Sequence, residues 1–356
     1  MIALQLNFRR VTVFIMKSSS SRLLAASAAF ASASALAANI GGPGVEPTTQ
    51  AFLQAVHGPG GPGLETLSPA AAREVLVGAQ QGAGVVLSAA DVSHKTITAD
   101  GRTISLTLVR PAGSVGVLPA FMFFHGGGWV LGDFQTHERL IRDLVAGSGA
   151  AAVYVDYTRS PEARFPVAIE EAYAATAWVA AHGAEIGVDG SRLAVAGNSV
   201  GGNMAVVVSL LAKERQGPAL RSQVLFWPVT DASFENSSYQ QFAGGHFLTR
   251  PMMRWFWDNY TTSAEERRSV HASPLQATPA ELAGLPPALV QTAEFDVLRD
   301  EGEAYARKLQ AAGVPVVATR YHGTIHDFGL LNALSQVPST RAALRQAADT
   351  LRESLR

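Results

Sequence analysis

From residue 118 onward the chain repeats one pattern: a short apolar run, a polar or glycine-bearing turn, then a longer stretch with apolar residues three and four apart. The apolar runs fall at 118–124, 151–157, 192–196, 223–227, 288–292 and 316–321, and helical spacing covers 166–181, 200–215 and 301–312 among the segments between them. Runs without polar alternation suit strands buried on both faces, and their alternation with helices builds a mostly parallel sheet. Ahead of this region, 95–98 and 103–110 alternate as half-buried strands do, with Asp100-Gly101 as a hairpin signal between them. Helical spacing returns at 48–56 and 68–80, on either side of the loop His57-Gly58-Pro59-Gly60-Gly61-Pro62-Gly63. That loop formally matches GxGxxG, but no strand precedes it and two prolines interrupt it, so it is not read as a nucleotide site. The fold class is therefore α/β, with a mostly parallel central sheet and helices on both faces. One interval breaks the rhythm. Residues 231–273 are rich in aromatics (Phe242, Phe247, Trp255, Phe256, Trp257 and Tyr260) and carry no clear strand. Helices inserted over the C-terminal edge of the sheet, where open α/β folds bind ligands, account for it.

Composition narrows the chemistry. With 356 residues, 47% hydrophobic, the chain has the material for one large domain or a domain with a cap. The formal charge is −1 and no dense basic cluster occurs, which argues against a nucleic-acid partner. There is no cysteine, which excludes disulfides, a thiol nucleophile, cysteine-ligated metals and a lipoprotein anchor. Lys17 and Arg22 precede a small apolar run from Leu23 to Leu36, and Ala35-Leu36-Ala37 offers small residues where a signal peptidase reads. Residues 1–37 are accordingly read as a signal peptide starting at Met16 and cleaved after Ala37, and the protein as exported to the periplasm or beyond; without a working signal it would be cytoplasmic. Cleavage would leave 24 basic and 29 acidic residues, a charge of −5. No later run nears 18 uninterrupted apolar residues, so no integral membrane segment is expected after signal removal. Residues 38–91 are read as linker and N-terminal cap helices, and 92–356 as the catalytic domain.

Two glycine-rich stretches carry candidate chemistry. Gly197-Asn198-Ser199-Val200-Gly201-Gly202 stands between a strand and a helix. In GxSxG the serine occupies a tight strand-to-helix turn, and the glycines remove side chains that would collide there. Such a serine needs a base, and the base needs an acid; in this arrangement the chain order is Ser, acid, His. Of the later histidines, His246 and His271 fall in or beside the insertion, whereas His322 and His326 both follow the last apolar run. His326 has the greater reach and is expected to precede a helix, so it is preferred. For the acid, Asp296 lies at the exit of the strand at 288–292, with Glu294 and Asp300 as alternatives. The other stretch, His125-Gly126-Gly127-Gly128-Trp129, follows the strand at 118–124 on the same sheet edge as Ser199. Acyl transfer develops an oxyanion, and bare backbone N–H groups are suitable donors to it. The apolar neighbours Trp129, Val130 and Leu131 suggest a packed segment rather than a slack loop. On this reading Gly128→Ala spares the fold while depressing turnover.

These motifs, in this order, resemble the hormone-sensitive-lipase-like branch of the α/β hydrolases, the bacterial family IV carboxylesterases. HGGGW, GNSVGG, EFDVLRDEG and GTIHDF carry the resemblance, supported by VDYTRSPEARFP at 155–166 and Ser273-Pro274-Leu275. It implies an α/β-hydrolase fold with Ser199 as nucleophile, Asp296 as acid and His326 as base. It also implies oxyanion donors at Gly127, Gly128 and the N–H of Val200, with His125 anchoring the loop. Gly126, Trp129, Gly197, Asn198, Gly201 and Gly202 complete the motifs. The helices before Val92 and the insertion at 231–273 would cap an acyl pocket. The sequence departs from the family at Asn198 (usually Asp or Thr), at Val200 (usually Ala) and at Thr158-Arg159-Ser160 (usually Arg-Leu-Ala).

The implied activity is cofactor-free hydrolysis of short- to medium-chain acyl esters, with a small-molecule ester as the partner. Two other readings remain at this level: an amidase or deacetylase with the same three residues, and a ligand-binding receptor on the same fold. Retention of serine, acid and histidine together weighs against the receptor. No metal is expected, because Gly323 lies between His322 and His326 and the glutamate of HExxH is missing. The aromatics at 252–257 are read as cap core, with acyl-pocket lining as a second role. Nothing in the sequence fixes the oligomeric state, a homodimer included.

Overall fold

The computed structural model describes residues 40–57 and 62–356; the expected signal peptide at 1–37 lies outside the described residues. Eight strands form one sheet: β1 (Ala90–Ala99), β2 (Arg102–Pro111), β3 (Leu118–Phe124), β4 (Ala151–Asp156), β5 (Val188–Asn198), β6 (Gln223–Phe226), β7 (Ala288–Phe295) and β8 (Val316–Ile325). Their order across the sheet is β1-β2-β4-β3-β5-β6-β7-β8. The β1–β2 and β2–β4 pairs are antiparallel, and every pair from β4 to β8 is parallel.

Eight helices of ten residues or more occur among the described residues: α1 (Pro47–Val56), α2 (Pro69–Gln81), α3 (Phe134–Ser148), α4 (Val167–His182), α5 (Val200–Glu214), α6 (Arg250–Tyr260), α7 (Arg299–Ala311) and α8 (Pro338–Ser354). Local chemistry sets several ends. Asp133 and Thr136 form a reciprocal capping box at the start of α3, and Gly149 closes its end in the left-handed region at φ 75°.

The unbroken apolar runs have the physical cause expected of them. In β3, Ala120, Met122 and Phe124 enter the core on one face, while Phe121 and Phe123 enter the core on the other. β4 divides likewise, Val153 and Val155 against Tyr154. Side chains of α4, α5 and α7 fill the first core, and those of α3 and α8 fill the second. Helix α5 is buried along nearly its whole length, from Val200 to Ala212. It holds the turn at its N-terminus from behind.

Some boundaries differ from the sequence reading. β5 begins at Val188, and β8 runs on to Ile325, so His322 lies inside the strand rather than in a loop after it. The chain after His326 makes turns and a short 3₁₀ segment, and α8 begins only at Pro338, so no helix directly follows that histidine. Between β6 and β7 the expected insertion is present as Ser237–Gln241, α6 and Ala264–Arg268, with no strand. No helix among the described residues is long and apolar enough to cross a membrane.

Candidate active site

Because β3 and β5 are parallel neighbours, with Phe124 opposite Gly197, their exits leave the sheet side by side. The backbones there nearly touch. A Cβ on Gly201 would overlap the Phe124 carbonyl, and one on Gly126 would run into Asn198. Glycine at these positions is a requirement of packing rather than of slack.

At the exit of β5, Ser199 adopts φ 56° and ψ −120°, a conformation that costs an L-residue about 1–3 kcal/mol. Surrounding bonds hold it: its N–H donates to the Phe226 carbonyl at 2.9 Å, and its carbonyl accepts from Asn203 and Val229 at 3.2 and 3.1 Å. Trp129, Trp227 and Asp327 also have positive φ. Backbone strain is thus gathered around this edge.

The three candidate side chains meet. His326 Nδ1–H donates to Asp296 Oδ2 at 2.8 Å, and Ser199 Oγ–H lies 3.0 Å from His326 Nε2. With Nδ1 protonated toward the carboxylate, Nε2 is left free to accept. All three residues are buried. Asp296 Oδ1 accepts from the Leu298 N–H at 3.0 Å, which orients the carboxylate. The alternatives go elsewhere. Glu294 binds the Gly323 N–H and His322, and Asp300 accepts from the Ser238 N–H. Of the other histidines, His322 is exposed, His246 stacks on Phe295, and His271 pairs with Glu214. Burial pushes His326 downward, but the Asp296 and Asp327 carboxylates outweigh it and raise it above the ordinary imidazole value.

The glycine segment lies against this serine turn. The Gly126 N–H is occupied by Asn198 Oδ1 at 3.0 Å. Among the described residues, the N–H groups of Gly127, Gly128 and Val200 donate to nothing. Val200 is the first residue of α5, so its N–H has no helical partner and shares the positive end of the helix dipole. His125 is buried, donates from Nδ1 to the Gly126 carbonyl at 2.8 Å and stacks on Tyr157 at 4.1 Å. Burial, and His137 beside it, hold His125 well below the ordinary imidazole value, hence neutral. Trp129 stacks on Tyr260 of α6 at 3.8 Å. Gly202 packs against Pro228.

Several contacts were not anticipated. Asn198 Nδ2 donates to Asp327 Oδ1 at 2.9 Å, and Trp227 Nε1 donates to the same oxygen at 2.7 Å. Asn198 therefore joins the glycine loop to the histidine loop, donating on one side and accepting on the other. An aspartate, one of the two residues expected there, would set a second carboxylate against Asp327 and lose the donor. Arg73 on α2 donates to the Val130 carbonyl at 2.8 Å and the Ser160 carbonyl at 3.0 Å, tying an N-terminal helix to the end of the glycine segment. Arg139 is buried and donates to the carbonyls of Gly329 and Leu330 behind His326. Glu301, buried on α7, accepts from the N–H of Thr230 at 2.7 Å, which anchors the insertion's first residues. Burial pushes its carboxyl well up. Asp327 and Asn198 had local signals, adjacency to His326 and to Ser199; Arg73, Arg139, Trp227 and Glu301 are separated from their targets along the chain.

A parallel sheet with a strained serine on a strand-to-helix turn, hydrogen-bonded to a histidine and an aspartate from later strand ends, defines an α/β hydrolase of the serine type. The chain belongs to that superfamily's hormone-sensitive-lipase-like branch, the bacterial family IV. The family model for this α/β hydrolase fold matches residues 121–330. The ethyl acetate hydrolase of Pseudomonas putida is 38% identical over 65% of this chain and 73% of its own length. The carboxylesterase NlhH of Mycobacterium tuberculosis is 36% identical over 74% of this chain and 83% of its own. The crystal structure of a thermostable esterase from Pseudomonas putida ECU1011 superposes with a TM-score of 0.88 at 68% identity, covering 89% of this chain and 99% of that one.

Two expectations follow. The sparing of the fold by Gly128→Ala is corrected: Gly128 sits at φ 64°, and a Cβ there would overlap the Phe256 ring. The variant should lose about 1–3 kcal/mol in denaturant unfolding as well as turnover. For pH, a base must be neutral to accept a proton, so a raised imidazole moves the acid limb of kcat/KM upward. Its midpoint should lie above 6.5, the ordinary value, and Asp327→Asn should lower it by removing a carboxylate 3.8 Å from Nε2.

Proposed function

We propose that the protein is a serine carboxylesterase acting on short- to medium-chain acyl esters, with Ser199 as nucleophile, His326 as base and Asp296 as its orienting acid. The observation that carries this reading is the hydrogen-bonded chain from Ser199 Oγ through His326 to Asp296 Oδ2, at 3.0 and 2.8 Å. Membership of a family of carboxylic ester hydrolases agrees with it, and the relative named an ethyl acetate hydrolase supports the short end of the acyl range.

In the proposed reaction Ser199 Oγ attacks the ester carbonyl carbon while its proton passes to His326 Nε2. The carbonyl oxygen becomes an oxyanion held by the N–H groups of Gly127, Gly128 and Val200. Collapse breaks the bond to the alcohol oxygen, which leaves with the proton from Nε2, and the acyl group remains on Ser199. A water molecule then gives its proton to Nε2 and attacks the acyl carbon; the acid departs and Ser199 recovers its proton. Asp296 keeps Nδ1 protonated and stabilises the imidazolium formed in each half. Fixed backbone donors need no reorganisation as the charge appears, and this kind of stabilisation is a large share of acyl-transfer catalysis.

The HGGG segment is read as the oxyanion loop, and α1, α2 and the insertion at 231–273 as a cap over residues 92–356. The contacts of Arg73 and of the α6 aromatics with the segment at 128–130 support that division. The basic start and apolar run before Ala37 support export.

The direct test is labelling with a fluorophosphonate. The wild-type protein should be modified at Ser199, and Ser199→Ala should be unlabelled, folded and slower on nitrophenyl acetate by about 10⁴-fold or more. Labelling at another residue, or turnover surviving the substitution, contradicts the assignment.

A further inference from the structure

We infer that Phe256 of α6 is the residue that limits acyl-chain length, an inference that rests on the serine-esterase reading above. Its ring lies directly on Gly128, so closely that Cγ, Cδ1 and Cε1 occupy the space a Cβ on that glycine would need. Phe256 is buried and has Trp255 edge-on at 5.3 Å. The neighbouring turn of the helix is pinned by Tyr260, stacked on Trp129, and by Trp257 against the same ring at 4.9 Å. The ring is therefore backed by packed neighbours.

Geometry at the reacting carbon assigns the side that Phe256 closes. The tetrahedral carbon carries Ser199 Oγ, the oxyanion, the alcohol oxygen and the acyl carbon. The alcohol oxygen must face His326 Nε2 to receive its proton. His326 and Asp296 reach Ser199 from loops after β8 and β7, on one side of β5, whereas the glycine segment arrives from β3 on the other. The alcohol therefore leaves on the histidine side. With the oxyanion on the glycine-segment N–H groups and the alcohol oxygen facing His326, the acyl carbon takes the remaining direction, away from His326, on the side of β5 where the Phe256 ring covers Gly128. A ring seated on the oxyanion loop admits a short acyl chain and obstructs a long one, while leaving the alcohol side open to variation.

The test compares kcat/KM ratios within each preparation, which cancels differences in folded fraction. In Phe256→Ala the ratio for nitrophenyl octanoate over acetate should rise about tenfold or more, the scale set by one or two methylenes in an apolar pocket. Phe256→Leu should fall between, and Phe256→Trp should lower butyrate relative to acetate. The ratio for benzyl over methyl acetate, which varies the alcohol, should stay nearly constant throughout. If Phe256→Ala fails to fold, the Leu and Trp variants still read the effect in opposite directions. An alcohol ratio that moves while the acyl ratio does not, or acyl ratios unchanged in the folded variants, overturns the inference. Failure of the underlying reading looks different: the wild-type protein would then resist fluorophosphonate and hydrolyse no ester at all.

Discussion

The site depends first on how closely two backbones approach at the ends of β3 and β5. Parallel pairing brings Phe124 level with Gly197, and beyond that pair Gly201 lies on the Phe124 carbonyl and Gly126 lies on Asn198. That approach sets the glycine loop beside the serine turn. It also explains why two glycine-rich stretches follow the apolar ends of β3 and β5. Gly201 is bare because the Phe124 carbonyl lies where its side chain would be, and Gly126 because the Asn198 amide and carbonyl lie there. The entropic cost of ordering glycines, up to about 1 kcal/mol each relative to alanine, is offset by the packing of β3, β5 and α5 around them.

Charge is distributed to suit that arrangement. His326 lies between Asp296, bonded to Nδ1, and Asp327, whose Oδ2 is 3.8 Å from Nε2. Two carboxylates near one imidazole favour a positive charge on it, which the proposed reaction creates in each half. Left unpaired, Asp327 would be costly to bury, and the Asn198 amide and the Trp227 indole supply its donors. Asn198 thereby couples the serine turn, the glycine loop and the histidine loop through a single side chain. Asp327 accounts for an amide rather than a carboxylate at this position.

Much of the fold was legible because the sheet is buried on both faces. The apolar run at 118–124 matches β3 residue for residue, and the run at 151–157 overshoots β4 by a single residue. Reading failed where strands continue on backbone pairing without apolar side chains. Asp189, Gly190 and Ser191 hid the start of β5, and His322 and Gly323 hid the end of β8. Among the site residues, motif order and strand exits pointed to Ser199, Asp296 and His326, three residues whose side chains lie within hydrogen-bond distance in series through His326. Arg73, Trp227 and Glu301 were illegible, because each acts on a segment far along the chain: Arg73 on Val130, Trp227 on Asp327, Glu301 on Thr230. No local spacing encodes such contacts.

In the proposed reaction, unoccupied backbone donors held bare by the β3–β5 approach receive the developing charge. A crystal structure of the protein after reaction with a phosphonate ester tests it most directly, since the bound phosphoryl oxygen mimics the oxyanion. Phosphorus should sit on Ser199 Oγ, with that oxygen within about 2.7–3.1 Å of the N–H groups of Gly127, Gly128 and Val200. A phosphoryl oxygen turned to solvent, or held by a side chain while those three N–H groups stay unbonded, would contradict it.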